Sequence, residues 1–215
     1  DSEKLSYFIR EIVPLLHLKP EQAEPIKYII SELVRNVFEH SGAKNGAVLC
    51  AQFYKKSNTI RIGIVDTGVG IKKSINVSYK TGSDTEAIKL ALTPGITGTT
   101  RKIGGTEYNA GAGLFFIKSI AKVSRDFFVI YSGKTFYKLL KKNPKTKVAR
   151  LYSDPFRDRH SINEDLPYWQ GTVVGIDITL GPKQEFSLLL DFIRDTFVKA
   201  INEQKRNKYK KARFI

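Results

Sequence analysis

The 215-residue sequence contains no methionine and one cysteine, Cys50. A single thiol excludes an internal disulfide framework and any multi-cysteine zinc site, and it points to a reducing, cytoplasmic setting. The missing methionine, an initiator included, is expected either of a piece excised from a longer chain or of a sequence written without its modified methionines. No apolar run approaches the roughly 18–20 residues that cross a bilayer, and no signal peptide opens the sequence. Acids are scarce: 21 Asp and Glu stand against 36 Lys and Arg, a net charge of +15. Such an excess suggests an anionic partner and says nothing about the fold. The apolar share, 41%, is that of an ordinary globular protein, so wholesale disorder is excluded.

The positive charge is concentrated. Lys134, Lys138, Lys141, Lys142, Lys145, Lys147 and Arg150 lie within 134–150 with no acid, and seven more bases lie within 199–215 against Glu203 alone. Phosphate neutralisation could let these stretches grip nucleic acid, but regular aromatic interleaving is lacking, so solvated faces and tails are the simpler reading.

Hydrophobic periodicity predicts helices over 3–18, with Pro14 as a kink, and over 22–40. Strands are expected at 46–54, 59–66, 125–132, 134–140, 147–152 and 171–180. A short helix at 84–92 precedes a Gly- and Thr-rich loop over 93–110. Another helix starts near Gly111 and runs to about Val123, and a last one starts near 184. Blocks of helix and strand in this order predict an α/β protein, a two-layer α/β sandwich with a mixed sheet. The expected organisation is an N-terminal helical segment (1–19), a central domain (20–182), and a C-terminal helix with a basic tail (183–215).

Four local patterns carry chemistry. In ELVRNVFEHS, Glu32, Asn36 and His40 recur every four residues, forming one polar stripe beside the apolar sector of Ile26, Ile29, Leu33 and Val37. A polar stripe bordering a buried face is where a pocket wall belongs, and Glu32 and Asn36 offer oxygens suited to Mg²⁺. In VDTGVGI, Asp66 ends an apolar strand while Gly68 and Gly70 permit close backbone approach, with Ile71 following. A carboxylate at the mouth of an apolar slot can accept a hydrogen bond from an exocyclic amine such as that of adenine. In NAGAGL, Gly111, Ala112, Gly113 and Leu114 open a helix whose backbone N–H groups suit an anion, and the preceding loop, with Thr100 and Lys102, could fold over a phosphate. Finally, Thr172 starts the last strand, where its hydroxyl could reach a base edge. Taken singly, each pattern is also a plain turn, helix face or strand.

Together and in this order, the four resemble the boxes of the GHKL superfamily, the histidine-kinase-like ATPases with the Bergerat nucleotide-binding fold. The resemblance spans about 20–180: an N box in ELVRNVFEHS, glycine boxes in DTGVGI and GAGL, and a closing GT strand. It implies ATP held between helices and sheet under a mobile lid. It further implies Mg²⁺ on Asn36 with Glu32 near it, the adenine amine on Asp66 with support from Thr172, and the pocket shaped by Gly68 and Gly70. Gly111, Gly113 and Leu114 would serve the phosphates, and Glu32 would be the base that orients an attacking water.

Departures exist. Sensor kinases often carry Lys where Glu39 stands, and no phosphoacceptor helix is evident: Arg10 occupies the position a histidine would need. His17 and His160 read as surface or packing residues. The resulting expectation is an Mg-ATP-dependent switch with slow hydrolysis, working on a protein partner or a further domain. Phosphotransfer to protein is the alternative within the class, and a non-catalytic nucleic-acid-binding module the alternative outside it.

Overall fold

A computed structural model describes residues 20–100, 112–140, 150–180 and 183–209, together with Ser6, Tyr7, Arg10, Glu11 and Pro14. Helix α1 (Pro20–Asn36) passes directly into a π-helical turn (Val37–Ser41). Strands β1 (Ala47–Tyr54) and β2 (Thr59–Asp66) follow, then α2 (Gly70–Asn76), α3 (Asp84–Ala91) and α4 (Gly113–Ser124). The hairpin β3 (Phe128–Gly133) and β4 (Thr135–Leu139) leads to β5 (His160–Asn163), β6 (Trp169–Thr179) and the long α5 (Lys183–Tyr209).

The six strands form one sheet in the order β1-β2-β6-β3-β4-β5. The α/β class therefore holds, but the sheet is antiparallel at every junction and not mixed. The physical reason lies in β6. Strands β2 and β3 do run parallel, as a helical crossover requires, yet β6 inserts between them and runs against both.

Period-2 alternation sorts the sheet into two faces. Ile60, Ile62 and Ile64 of β2, Val174, Ile176 and Ile178 of β6, and Phe128 and Ile130 of β3 are buried under the helices. Ile26, Ile29, Ile30 and Leu33 of α1, Phe115, Ile117 and Ile120 of α4, and Ile193 of α5 complete a single core. Residues on the opposite face, such as Val48, Gln52 and Arg61, are exposed. There Arg61 makes a two-pronged ion pair with Asp177 across the β2–β6 junction, at 2.7 and 2.9 Å.

Two buried polar clusters pin the helices to the sheet. Asp126, just past α4, accepts from the Thr179 N–H and hydroxyl at 2.8 and 2.7 Å, closing the end of β6. Asp158 lies between Lys118 (2.6 Å) and Lys122 (2.9 Å) of α4 with essentially no solvent access. Burial pushes the Lys118 ammonium below its ordinary pKa and the Asp158 carboxylate pulls it back. Truncating Asp158 would leave two buried cations without a counter-charge, the costly way to break such a cluster.

Several boundaries differ from the sequence reading. The glycine turn read at 65–71 passes at Gly70 into helix α2, which was not expected from the sequence. Arg150–Tyr152 are not in a strand, and the sheet's last edge is β5 at 160–163 instead, where the polar sequence HSIN gives little alternation to read. The remainder of that expected strand, 147–149, lies outside the described residues, as do His17, most of the 141–150 basic run and the tail beyond 209. His160 is a packing residue: its ring stacks on Tyr137 and Phe156. No described helix is long and apolar enough to cross a membrane.

Candidate functional site

A cleft of about 870 Å³, counted to its open mouth, lies between the helical layer and the sheet. Asn36, His40, Asp66, Gly70, Ile71, Gly113, Leu114 and Thr172 all line it, so residues from all four sequence patterns converge on one space.

The floor is made by strands. Ile64 pairs with Val174 and Asp66 with Thr172 across the β2–β6 ladder, so these four side chains share the cleft face. Asp66 is 5% exposed. Burial raises its pKa, while the backbone N–H groups of Gly68 and Thr172 lower it; the Gly68 N–H donates to Oδ1 at 2.8 Å. An apolar slot with one ionisable acceptor at its base is an environment for a flat ring bearing an amine.

Glycines make that floor possible. Gly171 sits at φ +117°, and a Cβ there would fall 2.1 Å from the Asp66 carbonyl oxygen. Gly68 packs so closely on the end of the π turn that a Cβ would lie 2.1 Å from the Ser41 carbonyl oxygen. That same oxygen accepts from the Val69 N–H at 2.7 Å. Gly68 thus shapes the cleft from behind and does not line it.

The wall comes from α1 and its π turn. Widening of the last turn is stabilised by the Ser41 hydroxyl, which donates to the Val37 carbonyl at 2.7 Å, and Gly42 closes the element in the left-handed region at φ +58°. π-Helical turns inside helices often accompany functional sites. His40 faces the cleft beside Glu39, at 3.7 Å, and burial pushes its pKa below the ordinary value, favouring the neutral ring.

Glu32 does not line the cleft. It is 7% exposed and tucked behind Gly113, whose added Cβ would lie 2.7 Å from Glu32 Oε2 and 3.5 Å from Asn36 Oδ1. Arg35, a cleft residue, holds the Glu32 carboxylate through a short contact to Oε2. Desolvation raises the Glu32 pKa and Arg35 opposes the rise.

Helix α4 begins at Gly113 with no side-chain cap and no acid in its first turn, so its leading N–H groups present a positive end to the cleft. Ala112 precedes this end without lining the space, and Gly111 and Lys102 lie outside the described residues. Thr100 pairs with Thr97 in an isolated bridge and does not line the cleft, whereas Ile96, Thr97 and Gly98 do. The turn packs on α2, where a Cβ at Gly98 would fall 2.5 Å from the Ser74 carbonyl oxygen, and just past that helix the Ser78 hydroxyl donates to the Gly98 carbonyl at 2.8 Å.

Among the described residues no group of three His, Cys, Asp or Glu side chains could hold a metal by itself. Asn36 and Glu32 provide two oxygen-bearing groups, and the Asn36 Nδ2 is buried with no hydrogen-bond partner. Glu32 lies behind Gly113 and is engaged by Arg35, so of the two only Asn36 reaches the cleft, and so sparse a set fits only an ion that takes most of its ligands from phosphate and water, as Mg²⁺ does.

Sequence reasoning missed Arg35, Ser74, Ile75, Ala91, Ile96 and Gly98 as lining residues, whereas Thr97 belongs to the Thr-rich loop expected to fold over a phosphate. It also missed Ser132, whose hydroxyl donates to the Gly171 carbonyl (2.6 Å) and accepts from the Ile71 N–H (3.0 Å). Ile71 and Ile75, four apart, carried a helical signal that could have revealed α2. Nothing local could have flagged Ser132, because its role exists only once β3 pairs with β6. Compared with protein-family models and with curated proteins, the sequence matches none.

Proposed function

We propose that the chain binds Mg-ATP in this cleft, as a histidine-kinase-like ATPase domain of the GHKL type, and uses nucleotide occupancy to change how it meets a protein partner. The observation that carries the reading is Asp66: one buried carboxylate at the base of an apolar slot, with Thr172 directly opposite on the neighbouring strand. Adenine presents an amine to such an acceptor. Guanine presents a carbonyl there and leaves the carboxylate without its hydrogen bond, so selectivity for adenine follows. At the other end of the cleft, the uncapped start of α4 supports an anionic phosphate chain.

Asn36, with Glu32 behind it, would hold Mg²⁺ together with the nucleotide. The ion, when bound, would neutralise and orient the phosphate oxygens. Glu32 would take the proton of an attacking water, since burial keeps its carboxyl more basic than an exposed glutamate. Arg35 bridges the two tasks: it lines the cleft and holds Glu32, so phosphate that attracts the guanidinium would release the carboxylate. The proposed setting is cytoplasmic.

The Arg35–Glu32 contact also favours a second reading. While that contact persists Glu32 is not free to orient water, which suits phosphotransfer to a protein side chain better than hydrolysis. The test is calorimetric titration with ATP and GTP, followed by γ-labelled ATP with Mg²⁺. Absence of ATP binding would sink the nucleotide reading, and ATP binding that Asp66→Asn leaves intact, or equal affinity for GTP, would remove Asp66 as the group that selects adenine. Free phosphate marks hydrolysis and label retained on protein marks phosphotransfer.

A further inference from the structure

Helix α5 stays seated well past the point where it closes the core. Phe197 still packs on the core, and beyond it Ala200 and Ile201 are 5% and 7% exposed. Gln204 is half-buried, while Lys205, Arg206, Asn207 and Lys208 are all exposed. Residues 197, 200, 201 and 204 are spaced to share one helix face, so the packed part of α5 ends at Gln204.

This face touches the backs of two cleft walls. Phe197 packs on Phe116 and Phe115, with ring centroids 5.8 and 6.1 Å apart. Those two phenylalanines directly follow Gly113 and Leu114, which line the cleft. Two turns further along α5, about 10 Å on the helix axis, the Gln204 side-chain amide donates to the Pro94 carbonyl at 3.1 Å. Pro94 stands just ahead of Ile96, Thr97 and Gly98, which line the cleft as well.

The acceptor is one that its own turn does not satisfy. Thr93 to Ile96 form a β-turn in which the Ile96 N–H donates to the Thr93 carbonyl at 3.4 Å. Pro94 holds the second position and Gly95 the third, at φ +78°. That is the type II pattern, where proline presets one corner and glycine supplies the left-handed other. The carbonyl between the two corners takes no part in the bond that closes such a turn. Pro94 and Gly95 are both buried, and a buried carbonyl needs a donor from somewhere. Gln204 provides it from 110 residues away in the sequence.

We infer that Gln204 is a positioning residue for the cleft: through Pro94 it ties the turn at 93–98 to α5, and so slows the release of nucleotide. The inference rests on the nucleotide reading above. Helix α5 bears on both walls at once. A turn tied to it cannot swing outward without breaking this hydrogen bond or lifting Ala200 and Ile201 out of their seat. Escape of a nucleotide covered by the turn needs that swing, whereas entry into an open cleft does not.

The test follows N-methylanthraniloyl-ATP with Mg²⁺, chased from the full chain by unlabelled ATP and excited through Trp169. That residue is the only tryptophan, and its indole N–H donates to the Asp66 carbonyl at 3.3 Å, so the signal comes from the cleft. Gln204→Glu keeps the side chain's shape and loses the donor. It should release the nucleotide about three- to tenfold faster, as for one net hydrogen bond, with association unchanged. Gln204→Lys restores a donor at similar reach and should return release to the native rate. Release from Gln204→Glu at the native rate overturns the inference, and a lowered thermal midpoint would then mark a tie that serves only the fold. Release from Gln204→Lys as fast as from Gln204→Glu overturns it too. Hydrogen exchange on the native chain keeps the test in force if a variant fails to fold. Mg-ATP should slow exchange at 96–98 and 200–208 together, and protection gained at the turn alone, or at neither, overturns the inference. A native chain that binds no Mg-ATP in calorimetry removes the nucleotide reading and this inference with it.

Discussion

The cleft has a strand-built end and a helix-built end, and they are held by different kinds of structure. Asp66, Thr172, Ile64 and Val174 owe their positions to the register between two strands that are about a hundred residues apart in sequence. Gly68, Gly171 and Ser132 lock that register through close approaches and buried hydrogen bonds. Glu32, Asn36 and His40 owe theirs to the pitch of one helix and its widened last turn. On the proposed reading, the first arrangement sets what is recognised. The second rests on helix ends and a partly exposed ion pair, and on the same reading it is the end that would change when a ligand arrives.

If this contrast holds, substitutions at the two ends should separate chemistry from recognition. Glu32→Gln should show the largest effect, a loss of turnover of about 10²–10⁴-fold with ATP affinity little changed, read from phosphate release beside calorimetry. Gly171→Ala is next. Its left-handed backbone and overlap with the Asp66 carbonyl should lower stability by about 2–4 kcal/mol and weaken nucleotide binding along with it, measured by denaturant titration.

Asp66→Asn should cost about 1.5–3 kcal/mol of ATP binding, roughly ten- to a hundred-fold, while leaving the free protein as stable or more so. The sign follows from its raised pKa. Stability from a carboxyl that prefers to be protonated is fully present below its unfolded pKa and is lost as pH rises through the folded value. The asparagine variant escapes that loss, so its melting point should match or exceed the native one at neutral pH. A large drop in melting point would show that Asp66 serves the fold and not recognition. Arg35→Ala should have the smallest effect at neutral pH. Removing the guanidinium takes away what lowers the Glu32 pKa, so the acid limb of the pH–rate profile should move to higher pH.

The helix-built end was the more legible in sequence. The four-residue spacing of Glu32, Asn36 and His40 placed them on one element, and the helix near Gly111 was expected within two residues of where α4 begins. The strand-built end was legible only as pieces. Asp66 at the close of a strand and Thr172 at the start of another were both noted, but neither residue carries information on which strand is its neighbour. For the same reason the insertion of β6 between β2 and β3 was invisible, and with it the antiparallel character of the sheet. Glu32 was read as part of a polar stripe, yet it lies behind Gly113, because helix periodicity gives a direction around an axis and not what stands in that direction.

The widened turn at Val37–Ser41 gives chain length itself a role. Removing one residue there would leave an uninterrupted α-helix, a conformation with better local hydrogen bonding, and the gain would be paid in geometry. Every group beyond the deletion would swing about 100° around the helix axis, carrying the Ser41 carbonyl away from Gly68 and Val69. Loops on the surface of this fold can absorb gained or lost residues by bowing outward. Here the count of residues is the coordinate that matters, and a shortened sequence could be more helical, equally well folded, and unable to close its cleft.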